Sequence, residues 1–163
     1  MTARTRRRDC PTRGELKETV RAMGDVPYNV VVTSRLMKRV FTGAPWEKKI
    51  GYCRAVRAGS HVFVSGTAPV GPNGSTVALG DPYGQAKRCF EIACGALREL
   101  GAGPENVVRT RMYVTDITRF AEYGRAHAEF FGAAPPANTM VEIKRLVDPE
   151  MLVEVEVDAV VSE

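Results

Sequence analysis

The sharpest pattern in the chain lies in Pro135 to Val161, PPANTMVEIKRLVDPEMLVEVEVDAVV. Val153, Val155, Val157, Ala159 and Val161 occupy one parity, and Leu152, Glu154, Glu156, Asp158 and Val160 the other. Side chains alternate across a strand, so this segment predicts a strand with one apolar face and three carboxylates on the opposite face. Ahead of it, Asn138, Met140 and Glu142 share one face of another predicted strand, and a turn joins the two. The apolar face needs cover. The acidic face must meet cations, water or a ligand, and a solvated outer face fits the same pattern.

Upstream, Tyr52 to Arg57 and His61 to Ser65 read as short strands around a turn at Ala58-Gly59-Ser60. Residues 66–80 form a loop with a turn signal at Pro72-Asn73-Gly74. Asp81-Pro82 opens a helix in which Ala86, Phe90, Ala93, Leu97 and Leu100 recur at three- and four-residue steps. Gly101 and Gly103-Pro104 close it. Val107 to Val114 is a strand, with Arg109, Arg111 and Tyr113 sharing one face. A second helix runs from about Arg119 to Gly132, with Phe120, Tyr123, His127 and Phe130 or Phe131 on its core side.

The order β-β-α-β-α-β-β predicts an α+β two-layer sandwich, a single mixed sheet with two helices on one face. The other face has no cover within the chain. It should carry Arg109, Arg111, Glu142, Glu154 and Glu156, with Met140 and Val160 interspersed, and so suggests a subunit interface.

Ahead of this domain, placed at 45–163, residues 1–44 read as a basic extension. Its first dozen residues look disordered. A short helix is expected from Thr12, on the spacing of Leu16, Val20 and Met23, and Asn29 to Thr33 reads as a strand or an extended arm. Residues 1–40 hold ten Lys or Arg against four Asp or Glu, while the remainder holds thirteen against fifteen. The net charge of +4 therefore belongs to the leader. Arg6-Arg7-Arg8 reads as a solvated tail, with nucleic acid or an acidic partner as the alternative.

With 163 residues the chain suits one domain with a full core. Its apolar runs fall far short of the roughly 18 residues a membrane span needs. No signal-peptide pattern follows the basic N-terminus, and a cytoplasmic protein is expected. Cys10, Cys53, Cys89 and Cys94 show no CxxC pair or zinc-ligand spacing, so free thiols are expected and no metal site.

Phosphate-loop, Ser-His-Asp and metal-binding-helix signatures are absent from the sequence. Cys53 is a nucleophile only if Arg54 stabilises its thiolate; otherwise it is structural. His127 suits a core histidine better than a catalytic one, and His61 should be exposed. Arg111 either pairs with Glu142 or Glu154 or anchors an acidic ligand. Glu154, partly desolvated, would make a general base.

From about Gly51 onward the chain resembles the reactive intermediate deaminase family, RidA-like proteins also called YjgF or UK114. The resemblance rests on GYCRAVRAGSHVFVSGTAPV, ALRELGAGPENVVRTRMYVTDITRF and PANTMVEIKRLVDPEMLVEVEVDAV, about 110 of the 163 residues. It implies a chorismate-mutase-like subunit and a homotrimer with a small-molecule cleft at each subunit interface. Family deaminases hydrolyse reactive imines and enamines without metal or organic cofactor. By resemblance, Glu154 would position water, Tyr52 and the Ser65-Gly66 turn would line the pocket, and Asn138 would stand where such deaminases carry an arginine that clamps the substrate carboxylate. An asparagine cannot replace that clamp. Arg54 and Arg111 are the candidate alternative anchors, and Glu142 joins the candidate substrate-binding set.

The resemblance therefore implies a cofactor-independent protein acting on a small imine, enamine or related carbonyl-derived metabolite by hydrolysis, cyclisation, condensation or tautomerisation. Efficient 2-aminoacrylate deamination is not expected. A non-catalytic, metabolite-binding or protein-stabilising trimer is the alternative. RNA binding or cleavage ranks last.

Overall fold

The computed structural model describes residues 18–23, 26–34 and 36–162. Ten elements organise them. Three strands come first, β1 (Glu18–Met23), β2 (Val26–Ser34) and β3 (Met37–Phe41). Then follow β4 (Ala55–Ala58), β5 (His61–Thr67), α1 (Pro82–Glu99) and β6 (Val107–Val114). The chain continues with α2 (Phe120–Phe131), β7 (Ala137–Glu142) and β8 (Val153–Val160). From β4 onward the order is the expected β-β-α-β-α-β-β.

All eight strands form one mixed sheet in the order β1-β2-β3-β4-β5-β8-β6-β7. Among the described residues β6 and β7 are its parallel pair, and a parallel pair needs a crossover, which α2 supplies. The strands at 137–142 and 153–160 are thus not neighbours across a turn, because β6 lies between them. β8 pairs antiparallel with both β5 and β6 and so occupies the interior of the sheet.

The core lies between this sheet and the two helices. Val153, Val155, Val157 and Ala159 of β8 are at most 1% exposed, and they share the core with Ala86, Phe90, Ala93 and Leu97 of α1 and with Leu100 that caps it. Thr110, Met112 and Val114 of β6 join them, with Tyr123, Ala126 and Phe131 from α2. Each buried Val or Leu contributes roughly 1.5–3 kcal/mol, so β8 alone holds a large share of the stability. Phe120, expected on the core side of α2, is 62% exposed instead. It occupies the first position of the helix, before the helix settles against the sheet.

The N-terminal segment departs most from expectation. Where a helix was expected, residues 18–23 form β1, paired antiparallel with β2, while 12–17 lie outside the described residues, as does the expected disordered leader. Helical spacing of three apolar residues is a weak local preference, and strand pairing overrides it. Asn29 to Thr33 lies within β2. β3 pairs with β4, so these three strands continue the main sheet. Tyr28 of β2 fastens them to the other layer: its hydroxyl donates to the Ile92 carbonyl of α1 at 3.0 Å, and its ring fills the notch above Gly95. A Cβ at Gly95 would collide with that ring.

The first strand of the body is shorter than expected. It begins at Ala55, leaving Tyr52, Cys53 and Arg54 in the segment that leads into β4.

Candidate functional site

Alternation along β8 turns Glu154, Glu156 and Asp158 to the sheet face opposite the helices. Across the strand pair Glu154 stands beside Tyr113, and Glu156 beside Arg111. Two of the three carboxylates are committed. Arg111 Nη1 lies 3.4 Å from Glu156 Oε2 and 3.2 Å from Asp158 Oδ2, and the Tyr113 hydroxyl donates to Glu156 at 3.1 Å. Arg111 thus forms an ion pair, but not with Glu142 or Glu154. The β6–β8 register places Glu156 opposite it.

Glu154 differs from its neighbours. It is half-buried, and among the described residues no donor hydrogen-bonds its carboxylate. Burial raises its pKa above the ordinary glutamate value, the Arg54 guanidinium opposes that rise, and the Glu156 carboxylate adds to it.

A bulge in β5 makes room for this side chain. The β5–β8 register shifts between Val64 and Thr67, leaving Ser65 and Gly66 unpaired with β8. A Cβ on Gly66 would overlap the Glu154 carboxylate where it now lies, so any larger residue there would force that side chain to swing away. Arg54 holds the bulge in shape. Its Nη1 donates to the Gly66 carbonyl at 2.6 Å, to Thr67 Oγ1 at 2.8 Å and to the Ser65 carbonyl at 3.3 Å. Its Nη2 reaches the Tyr52 hydroxyl at 3.4 Å, and the guanidinium lies 5.6 Å from the Tyr52 ring centroid. The Ser65 hydroxyl donates to the Cys53 carbonyl at 2.8 Å, tying the bulge to the segment before β4.

The structure thus brings together Tyr52, Arg54, Ser65, Gly66 and Glu154. Arg54 is only 7% exposed and directs most of its donors inward. In this chain it shapes the bulge and supplies positive charge beside Glu154.

Asn138 and Glu142 stand elsewhere. β7 runs parallel to β6, which pairs Asn138 with Thr110 and Glu142 with Val114, both on the helix side. The expectation that Glu142 shares the open face with Glu154 is therefore corrected, and Met140 moves with it. Glu142 accepts the Ile117 amide at 3.0 Å at the start of the turn leading into α2. Asn138 donates to Thr110 Oγ1 at 2.9 Å on the edge strand of the sheet.

Two groups escaped the reading of the sequence. Tyr113 lies in the same row as Glu154, and burial followed by the Glu156 charge raises its pKa. The alternation of Arg109, Arg111 and Tyr113 already placed it on that face. The contact of Thr110 with His127, 2.8 Å across the layer, had no signal in local pattern.

The cysteines suit structural roles. Burial raises the pKa of Cys53 and disfavours its thiolate, the Arg39 and Arg54 charges only partly opposing it. Cys89 and Cys94 are buried and free, and burial pushes the Cys94 thiol up to about 11. Cys10 lies outside the described residues. Among the described residues no three His, Cys, Asp or Glu side chains are grouped to hold a metal ion. No helix among them is long and apolar enough to cross a membrane.

Fold and site together define a chorismate-mutase-like α+β domain with a half-buried carboxylate on its open sheet face. Residues 44–161 match the family model described as Endoribonuclease L-PSP. An uncharacterised protein of Streptomyces coelicolor is 39% identical over 128 residues, spanning 78% of this chain and 95% of its own length. A RutC family protein of Pyrococcus abyssi is 36% identical over 110 residues, 67% of this chain and 86% of its own. Among solved structures, Rv2704 of Mycobacterium tuberculosis, a member of the YjgF/YER057c/UK114 family, superposes with a TM-score of 0.70 at 41% identity. It covers 77% of this chain and 99% of its own. TdcF of E. coli with bound serine superposes at 0.63 and 29% identity, covering 68% and 88%. The chain belongs to the YjgF/YER057c/UK114 family.

Proposed function

We propose that the protein is a homotrimer that binds a small imine, enamine or related carbonyl-derived metabolite in a cleft between subunits, and that Glu154 moves a proton or positions water there. The observation carrying this reading is Glu154 itself. A half-buried carboxylate with a raised pKa and no internal donor is a better proton acceptor than an ordinary glutamate. Tyr52 and the Ser65-Gly66 bulge line the same position, and the Arg54 charge opposes the rise in the carboxylate's pKa. The bound serine in TdcF supports a ligand of amino-acid size.

Asn138, on the edge strand, would reach this cleft from a neighbouring copy, because within one chain it lies on the opposite face of the sheet. Arg111 shares the open face with Glu154, and Glu142, on the same face of β7 as Asn138, would come with it from the neighbouring copy. No metal or organic cofactor is invoked. Ligand turnover at Glu154 takes the form of hydrolysis, cyclisation, condensation or tautomerisation.

The test uses enzymatically generated 2-aminoacrylate and follows pyruvate release. The chain should be slow, Asn138→Arg faster, and Glu154→Gln inactive with assembly intact by sedimentation. Robust turnover by the unaltered chain would contradict the role given to Asn138. Turnover indifferent to Glu154→Gln would contradict the role given to Glu154.

RNA cleavage, the activity in the matched family's description, is the second reading. Glu154, Glu156 and Asp158 on the open face oppose a phosphate backbone, so RNA binding would have to use the basic leader. Deleting residues 1–17, which precede β1, and measuring RNA affinity at two salt concentrations tests this reading: affinity and salt dependence lost with the deletion support it, and a weak, salt-insensitive signal unchanged by the deletion dismisses it.

A further inference from the structure

Three polar side chains lead from the core to the edge of the sheet. His127 of α2 is half-buried among aromatic rings, 5.6 Å from Phe90 and 4.9 Å from Phe131 between centroids. Its Nε2 lies 2.8 Å from Oγ1 of Thr110, which is fully buried. Thr110 Oγ1 in turn accepts the Nδ2–H of Asn138 at 2.9 Å. The buried Thr110 hydroxyl thus has two partners, His127 on the core side and Asn138 at the sheet edge, and losing either would leave part of its hydrogen-bonding capacity unmet. Asn138 has no such need. It is exposed, and water could serve its amide. An exposed amide tied to a buried hydroxyl is held in one orientation toward whatever meets the edge strand.

That orientation fixes what the amide offers. A neutral imidazole with its proton on Nδ1 leaves Nε2 as an acceptor. Burial favours the neutral ring of His127. In that tautomer Thr110 donates its single proton to His127 and keeps a lone pair for Asn138. One Nδ2–H of Asn138 is committed, and Oδ1 and the second Nδ2–H remain. This neutral donor–acceptor pair complements another amide, and it brings no positive charge to a carboxylate.

We infer that the Asn138–Thr110–His127 line selects a ligand bearing a neutral carboxamide or cyclic amide over one bearing a free carboxylate. The inference rests on the reading above, in which Asn138 of one copy meets a ligand held at Glu154 of the next. Asn138 makes the contact; Thr110 and His127 are positioning residues.

Lactamide and lactate test it, because they differ only in that group. The full, isotope-labelled chain is titrated with each while the Gly66 amide signal is followed. Lactamide should bind about five- to tenfold more tightly, the worth of roughly one hydrogen bond. Glu154 repels lactate in every variant, so the decisive quantity is how the preference changes. Thr110→Val should reduce it at least about threefold, Thr110→Ser should restore it, and Asn138→Arg should invert it. The His127 ring nitrogens should show the Nδ1–H tautomer. Should Thr110→Val fail to fold, the exposed substitution Asn138→Leu must reduce the preference in its place. A preference for lactate in the unaltered chain, or one untouched by Thr110→Val and Asn138→Leu, overturns this inference and leaves the Glu154 cleft standing. If neither compound moves Gly66, the cleft reading falls and takes the inference with it.

Discussion

The two faces of β8 share one backbone and serve opposite ends. Toward the helices, Val153, Val155, Val157 and Ala159 are sealed from water and carry no chemistry. Toward the open side, Glu156 and Asp158 are held by Arg111, and Tyr113 also donates to Glu156, while Glu154 alone of the three keeps its carboxylate uncommitted among the described residues. The sealed face decides whether the chain folds, and the open face decides what it meets. A carboxylate placed beside a bulge on a rigid inner strand is also held more firmly than one on a loop could be.

The contrast breaks if the two faces tolerate the same change. Val157→Asp places an unpaired charge in the core and should cost about 4 kcal/mol or more, enough to unfold the chain. Asp158→Val, one residue away, should cost less than about 1 kcal/mol because its ion pair is partly solvated. Urea denaturation at one fixed protein concentration measures both. Similar losses would mean that the faces are not distinct.

Gly66→Ala probes the open face more gently. The added methyl meets the movable end of Glu154, so folding should lose no more than about 1.5 kcal/mol. The carboxylate must swing away, however, and ligand-induced shifts at the site should disappear. A variant that binds as well as the parent would show that the close approach of Gly66 to Glu154 has no bearing on the site.

A smaller effect should separate the N-terminal strands from the body. Gly95→Ala improves helix propensity by up to about 1 kcal/mol but fills the notch that receives Tyr28. Amide exchange in β2 should quicken while the α1 and β8 amides stay protected. Uniform protection would mean that Tyr28 does not fasten the extension.

The smallest effect is a gain. Glu154 has a higher pKa folded than unfolded, so its contribution to stability is complete below the unfolded carboxyl range and is lost as pH rises through the raised folded value. At neutral pH the ionised group is therefore a burden, and Glu154→Gln should stabilise the fold by less than about 1 kcal/mol after solvent screening. Destabilisation by that substitution would indicate that the carboxylate holds the fold together.

Much of this was legible because the body's elements are locally consistent. Strand β6 matches its predicted bounds at both ends, and the apolar stripe of α1 is the stripe that packs. What escaped was set by pairing across the chain. β7 has polar residues on both parities, so its pattern could not say which side faces the helices, and only the parallel register with β6 turns Asn138 and Glu142 away from Glu154. Arg111 was recognised as needing an acid, but Glu156 was identified as its partner by register alone. β1 was misread because Leu16, Val20 and Met23 fit helical spacing by chance, and its strand exists through β2. Ser65-Gly66 entered only through the family resemblance, as a turn, while the pattern ended the strand at Ser65; the β5–β8 register makes the pair a bulge inside β5 with Glu154 against it.

The central claim is that Glu154 is the uncommitted, proton-accepting carboxylate of the open face. The most direct measurement is the titration of its side-chain carboxyl carbon by NMR in the full chain, with Arg54→Gln alongside. A midpoint above the ordinary glutamate value, rising further in Arg54→Gln, is the predicted result. A midpoint at or below the ordinary value, unmoved by Arg54→Gln, would contradict it.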